Sequence, residues 1–239
     1  MANGIYSALS GAIGRVRAMD VIANDMANIG TNGYKGTRVT FKEMLAEADG
    51  IENLTHRQVR LDSVDTDFSP GGLKTTGNPL DVSIMGEGFF EVETPQGPRF
   101  TRAGAFTVDA TGQITNLEGY PVMGDGGPIS VPPDKAVRVI QNGVVVAGDL
   151  ELGKLKVVEF GDRSTLERGG HNLWIADEQA DRQIVEEVLV QPGAVERSNV
   201  SPVKAMTELI RVSRHYESLL RAVDTFSQAD KRTVSQLGK

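Results

Sequence analysis

The sequence predicts an α+β protein in which long N- and C-terminal helices pair as a coiled-coil layer, with an all-β domain inserted between them. Three observations carry this expectation. Apolar residues recur at alternating steps of four and three at both ends of the 239-residue chain, the spacing of a helix seam. Between those ends, short apolar runs alternate with polar residues at period two, as half-buried strands do. Glycine and proline become frequent in the same middle stretch and break it into turns.

In the first element Ile5, Leu9, Ala12, Val16, Met19, Ala23 and Met26 form the seam, widened by Ile13, Ile22 and Ile29. Asn28-Ile29-Gly30 and then Asn32-Gly33 tolerate positive φ, so the helix is expected to stop near Asn28 and the chain to turn. That gives a helix of roughly 25 residues, about 40 Å long. At the other end Ser201-Pro202 reads as an N-cap followed by proline at the first helical position. Ala205, Leu209, Val212, Tyr216, Leu219, Val223 and Phe226 repeat the four-three spacing. Beyond Phe226 the pattern weakens where Asp230 takes a seam position, so the last turns are expected to fray.

The middle carries strand patterns such as Phe89-Phe90-Glu91-Val92-Glu93 and Lys154-Leu155-Lys156-Val157-Val158-Glu159-Phe160, with turns at Pro95-Gln96-Gly97, Asp109-Ala110-Thr111-Gly112 and Gln141-Asn142-Gly143. Lys35 to Asn78 is charged and irregular, with a short helix expected around Phe41 to Ala48. The expected organisation is a discontinuous helical domain of residues 1–31 and 201–239, a connector over 32–79, and a β-rich domain over 80–200.

A chain of this length can bury a real core. Its net charge of -7 gives no electrostatic reason to bind phosphate backbones or anionic lipid, so no nucleic-acid partner is expected. The absence of cysteine excludes disulfides, thiolate metal sites and cysteine nucleophiles. No stretch is long and apolar enough for membrane insertion. Residues 1–14 are uncharged, but the first basic residues, Arg15 and Arg17, follow the apolar run instead of preceding it, so no cleaved signal peptide is expected.

No catalytic, cofactor-binding or metal residue emerges. His56, His171 and His215 lack ligand spacing. Asp62, Asp65 and Asp67 lack the turn glycine and closing glutamate of a calcium loop, and Gly86-Glu87-Gly88 lacks the third glycine of a nucleotide loop. The helical stripes are the informative feature. Pairing hides one face of each helix, yet Ile13, Ile22, Ile210 and Leu220 extend the apolar surface beyond the seam, which favours packing against neighbouring chains. A rival of another class is a β-domain hydrolase or carbohydrate-binding module with helical dimerisation arms, since no motif can exclude a spatial constellation.

Ala23-Asn24-Asp25-Met26-Ala27-Asn28, followed by Thr31-Asn32-Gly33-Tyr34-Lys35, resembles the N-terminal signature of bacterial flagellar axial proteins, with Asp25 where asparagine is usual and Tyr34 where phenylalanine is frequent. Gly86-Glu87-Gly88-Phe89-Phe90, Thr101-Arg102-Ala103-Gly104-Ala105-Phe106, Asp109 and Gly112 are similar to the β-domain signature of the rod and hook subfamily. Ser198-Asn199-Val200, with Met206, Ile210 and Tyr216, is similar to its C-terminal motif.

The resemblance implies a structural subunit of the basal-body rod, not an enzyme, with no cofactor. It implies export through the flagellar type III apparatus without a cleaved signal peptide, and assembly in the periplasm with other flagellar rod proteins and copies of itself. The terminal helices would line a hollow shaft that transmits torque. On this reading Ile5, Leu9, Val16, Met19, Met26, Asn28, Gly33, Leu209, Val212, Tyr216, Leu219, Val223 and Phe226 serve helix assembly. Gly86, Gly88, Phe89, Phe90, Thr101, Arg102, Gly104, Phe106, Asp109 and Gly112 form the β-domain motif.

Overall fold

The computed structural model describes residues 2–47, 55–133, 135–177 and 180–237. Two helices, α1 (Ala2–Ala27) and α2 (Pro202–Leu237), bracket a long series of strands. The chain divides into two compact units: Met1–Asn28, Gly36–Asp67 and Val200–Lys239 form one, Ile29–Lys35 and Phe68–Asn199 the other.

In the helical unit, α1 ends where the Asn24 carbonyl accepts both the backbone amide of Asn28 at 3.2 Å and its side-chain amide at 2.9 Å. Proline, which has no N–H to leave unpaired, opens α2, and the Ala205 amide closes the first turn on the Ser201 carbonyl at 2.9 Å. The helices lie against each other in opposite directions. A Cβ at Gly4 would stand 3.2 Å from the Phe226 ring, and one at Gly11 3.3 Å from Leu219 Cδ1.

The connector is where the sequence reading needs correction. Residues expected to form a short helix from Phe41 lie instead in strand β1 (Thr37–Glu47), paired antiparallel with β2 (Thr55–Thr66) from Thr37↔Thr66 to Glu47↔Thr55, with a bulge at Thr40/Phe41. Ala48 lies outside the described residues. Glu43-Met44-Leu45-Ala46-Glu47 are good helix formers, but propensity is a weak prior, and pairing along the 11 residues of β1 outweighs it. This hairpin packs on α1, and Asp25 anchors its start by accepting the Thr37 amide at 2.9 Å. Residues 32–79 are thus not one connector, since Gly36–Asp67 belongs with the helices.

The β unit begins with short strands β3 (Leu73–Thr75) and β4 (Val82–Ile84), then the hairpin β5 (Phe89–Thr94) and β6 (Gly97–Thr101). The hairpin is the centre of a six-stranded antiparallel sheet in the order Leu166–Gly170, Leu173–Ala176, β6, β5, Val157–Phe160, Arg182–Ile184. Because side chains alternate across a strand, adjacent phenylalanines go to different cores. Phe90 joins Val82, Val92, Phe106, Ile114, Val145 and Leu155 on one side, and Phe89 joins Phe100, Val158, Phe160 and Trp174 on the other.

Candidate functional site

The helix faces come first. In α1 the small residues are inside: Ala8, Gly11, Ala12, Gly14 and Ala18 are buried. Tyr6, Leu9, Ile13 and Val16, spaced three, four and three apart, are 67, 45, 51 and 39 % exposed. Of the seam expected in α1, Ala12 is buried, Ile5, Met19 and Met26 are half-buried, and Leu9, Val16 and Ala23 face outward. The stripe that packs, Gly4, Ala8, Gly11 and Ala18, runs one residue ahead, about 100° around the helix. The physical reason lies on α2, where Leu219 and Phe226 need facing positions without bulk and find Gly11 and Gly4.

On α2, Val212 is buried and Leu209, Tyr216, Leu219 and Val223 are half-buried, while Phe226, Val203, Met206, Ile210 and Leu220 are exposed. Each helix therefore keeps an outward apolar stripe. Covering one large aliphatic side chain is worth about 1.5–3 kcal/mol, and contiguous stripes of this kind mark association surfaces.

The β-domain motif positions backbone. Gly104 has the Val82 amide on its carbonyl at 2.8 Å, and a Cβ there would stand 1.7 Å from the Val82 oxygen. No other residue fits that approach. A Cβ at Gly88 would meet Val157 Cγ1 at 2.3 Å. Phe90 and Phe106 meet edge to face at 5.1 Å, and Thr101 Oγ1 donates to the Asn172 carbonyl at 3.0 Å. Asp109 accepts the Gln113 and Thr111 amides at 2.8 and 2.9 Å and the Thr111 hydroxyl. Those bonds, Gln113's foremost, hold its carboxyl below the usual carboxylate range. Gly112 closes the same turn by donating to the Asp109 carbonyl.

Arg102 and Gly86 lead to a cluster that motif reading did not assemble. Glu196 accepts Lys35 Nζ on one carboxylate oxygen at 2.7 Å and Arg102 Nε on the other at 2.9 Å, with the three side chains 3, 1 and 4 % exposed. Arg102 also donates to the carbonyls of Gly88 and, at 2.8 Å, Gly86. The Gly71 amide shares the Lys35-bound oxygen at 2.8 Å, and Lys35 Nζ reaches the Ser69 carbonyl at 2.8 Å. Backbone bonds close around it: Gly33 N to Glu196 O at 2.7 Å, Arg197 N to Gly72 O at 2.8 Å, Asn199 N to Tyr34 O at 3.3 Å.

The Asn32-Gly33-Tyr34-Lys35 segment is held as a strap. Asn172 Nδ2 donates to the Asn32 carbonyl at 2.8 Å, and the Arg168 guanidinium lies 5.1 Å from the Tyr34 ring centre and 4.9 Å from that of Trp174. Gly33, at φ +68, would carry a Cβ 2.5 Å from the Arg102–Ala103 backbone, and Gly71 one 1.8 Å from the Arg197 oxygen. Buried ions persist only when their partners and hydrogen bonds are complete, and here one carboxylate satisfies two cations and an amide. Glu196 is the residue that sequence reasoning missed. The available signal was two motif cations, Lys35 and Arg102, with an acidic residue two positions before Ser198-Asn199.

This cluster joins segments of one chain, and among the described residues no group of three or more His, Asp or Glu could hold a metal. Nor is any helix among them long and apolar enough to cross a membrane. What the fold presents is exposed helix stripes and a buried ion cluster. Residues 83–147 match the family of the flagellar hook protein FlgE/F/G D1 domain, and residues 191–237 that of the flagellar basal body rod FlgEFG protein C-terminal region. The chain is 32 % identical to flagellar basal-body rod protein FlgF of Caulobacter vibrioides over 100 % of this chain and 99 % of that one. It is 30 % identical to FlgF of Salmonella typhimurium over 97 % of each, and 31 % identical to flagellar basal-body rod protein FlgG of Bacillus subtilis over 98 and 99 %. The chain belongs to the flagellar basal-body rod protein family. It is a structural subunit of the basal-body rod and not an enzyme, which removes the hydrolase rival.

Proposed function

We propose that this chain is the proximal rod subunit, which self-assembles through its terminal helices into a hollow helical shaft that transmits torque. The observation that carries the reading is the pair of outward apolar stripes, Tyr6-Leu9-Ile13-Val16 on α1 and Val203-Met206-Ile210 on α2. Copies of the same chain and other rod proteins are the partners that would cover them. A coiled-coil layer within the subunit is supported by the seven-residue step between the packed pairs Gly4–Phe226 and Gly11–Leu219, the repeat that keeps one seam facing another. In this reading the chain is exported through the flagellar type III apparatus without cleavage and assembles in the periplasm.

The Gly127-Pro128-Ile129-Ser130-Val131-Pro132 segment and Pro202 resemble the proximal rod protein and favour that position. A distal rod or hook subunit of the same family is the second reading. A chromosomal deletion with electron microscopy of basal bodies separates them. Loss of the rod segment nearest the export gate is expected, truncation farther out would assign the distal position, and complete rods would end both.

A further inference from the structure

We propose that Glu196, Lys35 and Arg102 form a clasp on the chain crossings, a local closure that opens independently of the β-sheets. The chain passes between the two units after Asn28, Lys35, Asp67 and Asn199. In the β unit the residues flanking those crossings are bonded to one another. Lys35, from the segment 29–35, reaches the Ser69 carbonyl in the segment after Asp67 and the Glu196 carboxylate in the segment before Asn199. Gly71 donates to that same carboxylate, and the Gly33 and Asn199 amides tie the first segment to the last. One carboxylate thus touches every flanking segment, while Arg102 fastens it to the Gly86 and Gly88 carbonyls of the sheet domain.

Beside the cluster these ends are held by side-chain contacts at their margins, Asn172 on the Asn32 carbonyl, Arg168 on the Lys35 carbonyl and Phe68 against Phe89 and Trp174. The ladders that reach them, β3 with Ala194–Glu196 and β4 with Val190–Pro192, are three residue pairs each. Charge-assisted bonds away from water are the short, strong ones, and removing one member strands a charge on the others. Gly33 and Gly71 are the positions where the backbones approach too closely for a Cβ, so the clasp is built into the chain path as well as its charges. In a rod subunit, force passing covalently from one unit to the other runs through these crossings, and the clasp keeps their ends from peeling. That mechanical role rests on the rod reading; the local closure does not.

Hydrogen exchange on the full-length protein tests the closure. In Glu196→Gln, the Gly33, Gly71 and Asn199 amides are expected to exchange at least about tenfold faster, with amides of β5 and Val157–Phe160 changing less than about threefold, as a local opening requires. An equal rise at both places overturns the proposal, and so does no change at either. Should Glu196→Gln fail to fold, Lys35→Met decides, because it leaves a neutral Glu196–Arg102 pair and is expected to give the same local pattern. Cells carrying Lys35→Met are expected to swim normally in dilute medium and to lose motility as viscosity rises. Normal swimming under load, with fast local exchange, overturns the mechanical role. The rod assignment fails separately, if the deletion strain builds complete rods.

Discussion

In the β unit the largest side chains are hidden, with Trp174, Phe89, Phe90 and Phe100 essentially inaccessible, whereas in α1 the buried positions besides Asp25 are alanines and glycines, and Tyr6, Leu9, Ile13 and Val16 stand outside. The β unit therefore holds its hydrophobic stabilisation within the chain. The helical unit leaves much of its own unrealised until something covers α1 and α2. On the proposed rod reading, the first part folds to completion in the monomer and the second is completed by assembly.

The sharpest way to break that comparison is a pair of truncations. Phe90→Ala removes a fully buried ring between Phe106 and the main core and is expected to cost about 3–5 kcal/mol in urea unfolding. Leu9→Ala, on the outward stripe, should stay within about 0.5 kcal/mol in the same measurement while reducing incorporation into rods. Comparable losses in the two variants would show that Leu9 is a core residue of the isolated chain and remove the contrast between the units.

Close backbone approach gives the next effect. Gly104→Ala forces a methyl to 1.7 Å from the Val82 oxygen, and overpacking of this kind costs about 1–3 kcal/mol or more. Gly30→Ala, with nothing within 4 Å of its Cβ position, is the matched control and should be neutral or slightly stabilising by thermal melt. In the helical unit the same substitution has the opposite sign. Gly11→Ala gains up to about 1 kcal/mol of helix propensity, and the new methyl meets only the movable end of Leu219 at 3.3 Å. A net gain of a few tenths is expected. A loss above about 1 kcal/mol would mean that the helices touch through backbone at Gly11, a tighter seam than side-chain packing gives.

How much of this was legible in the sequence depended on what signalled each element. The helices announced themselves by period, and Leu219 and Phe226 sit on the stripe that packs. The facing stripe of α1 was misplaced by one residue because counting favours Leu9 and Val16 over Gly4, Ala8 and Gly11, although a bulky partner selects for the small ones. The β1–β2 hairpin was hidden because its residues 43–47 carry local helix preference, and its pairing reaches from Glu47 to Thr55 and from Thr37 to Thr66. The motif residues Lys35, Gly86 and Arg102 were visible as motifs but not as a site. What joins them is Glu196, a lone glutamate at the end of a three-residue strand, and no spacing rule ties positions 35, 102 and 196 together.

The smallest effect tests a charge inside the β unit that the helical unit should ignore. The folded-state pKa of Asp109 is lowered from the ordinary 3.8, first by the Gln113 amide and then by the Thr111 hydroxyl. A depressed carboxylate stabilises the fold at pH above its unfolded value, and that contribution is lost as pH falls through the folded value. Asp109→Asn should accordingly lower the melting temperature slightly at neutral pH, and the gap from wild type should close as the pH drops below about 4. The helical circular dichroism near neutral pH should be the same in both proteins. A gap that persists unchanged into acid would show that Asp109 holds its turn as a neutral acceptor, and that Gln113 and Thr111 bind an oxygen there regardless of its charge.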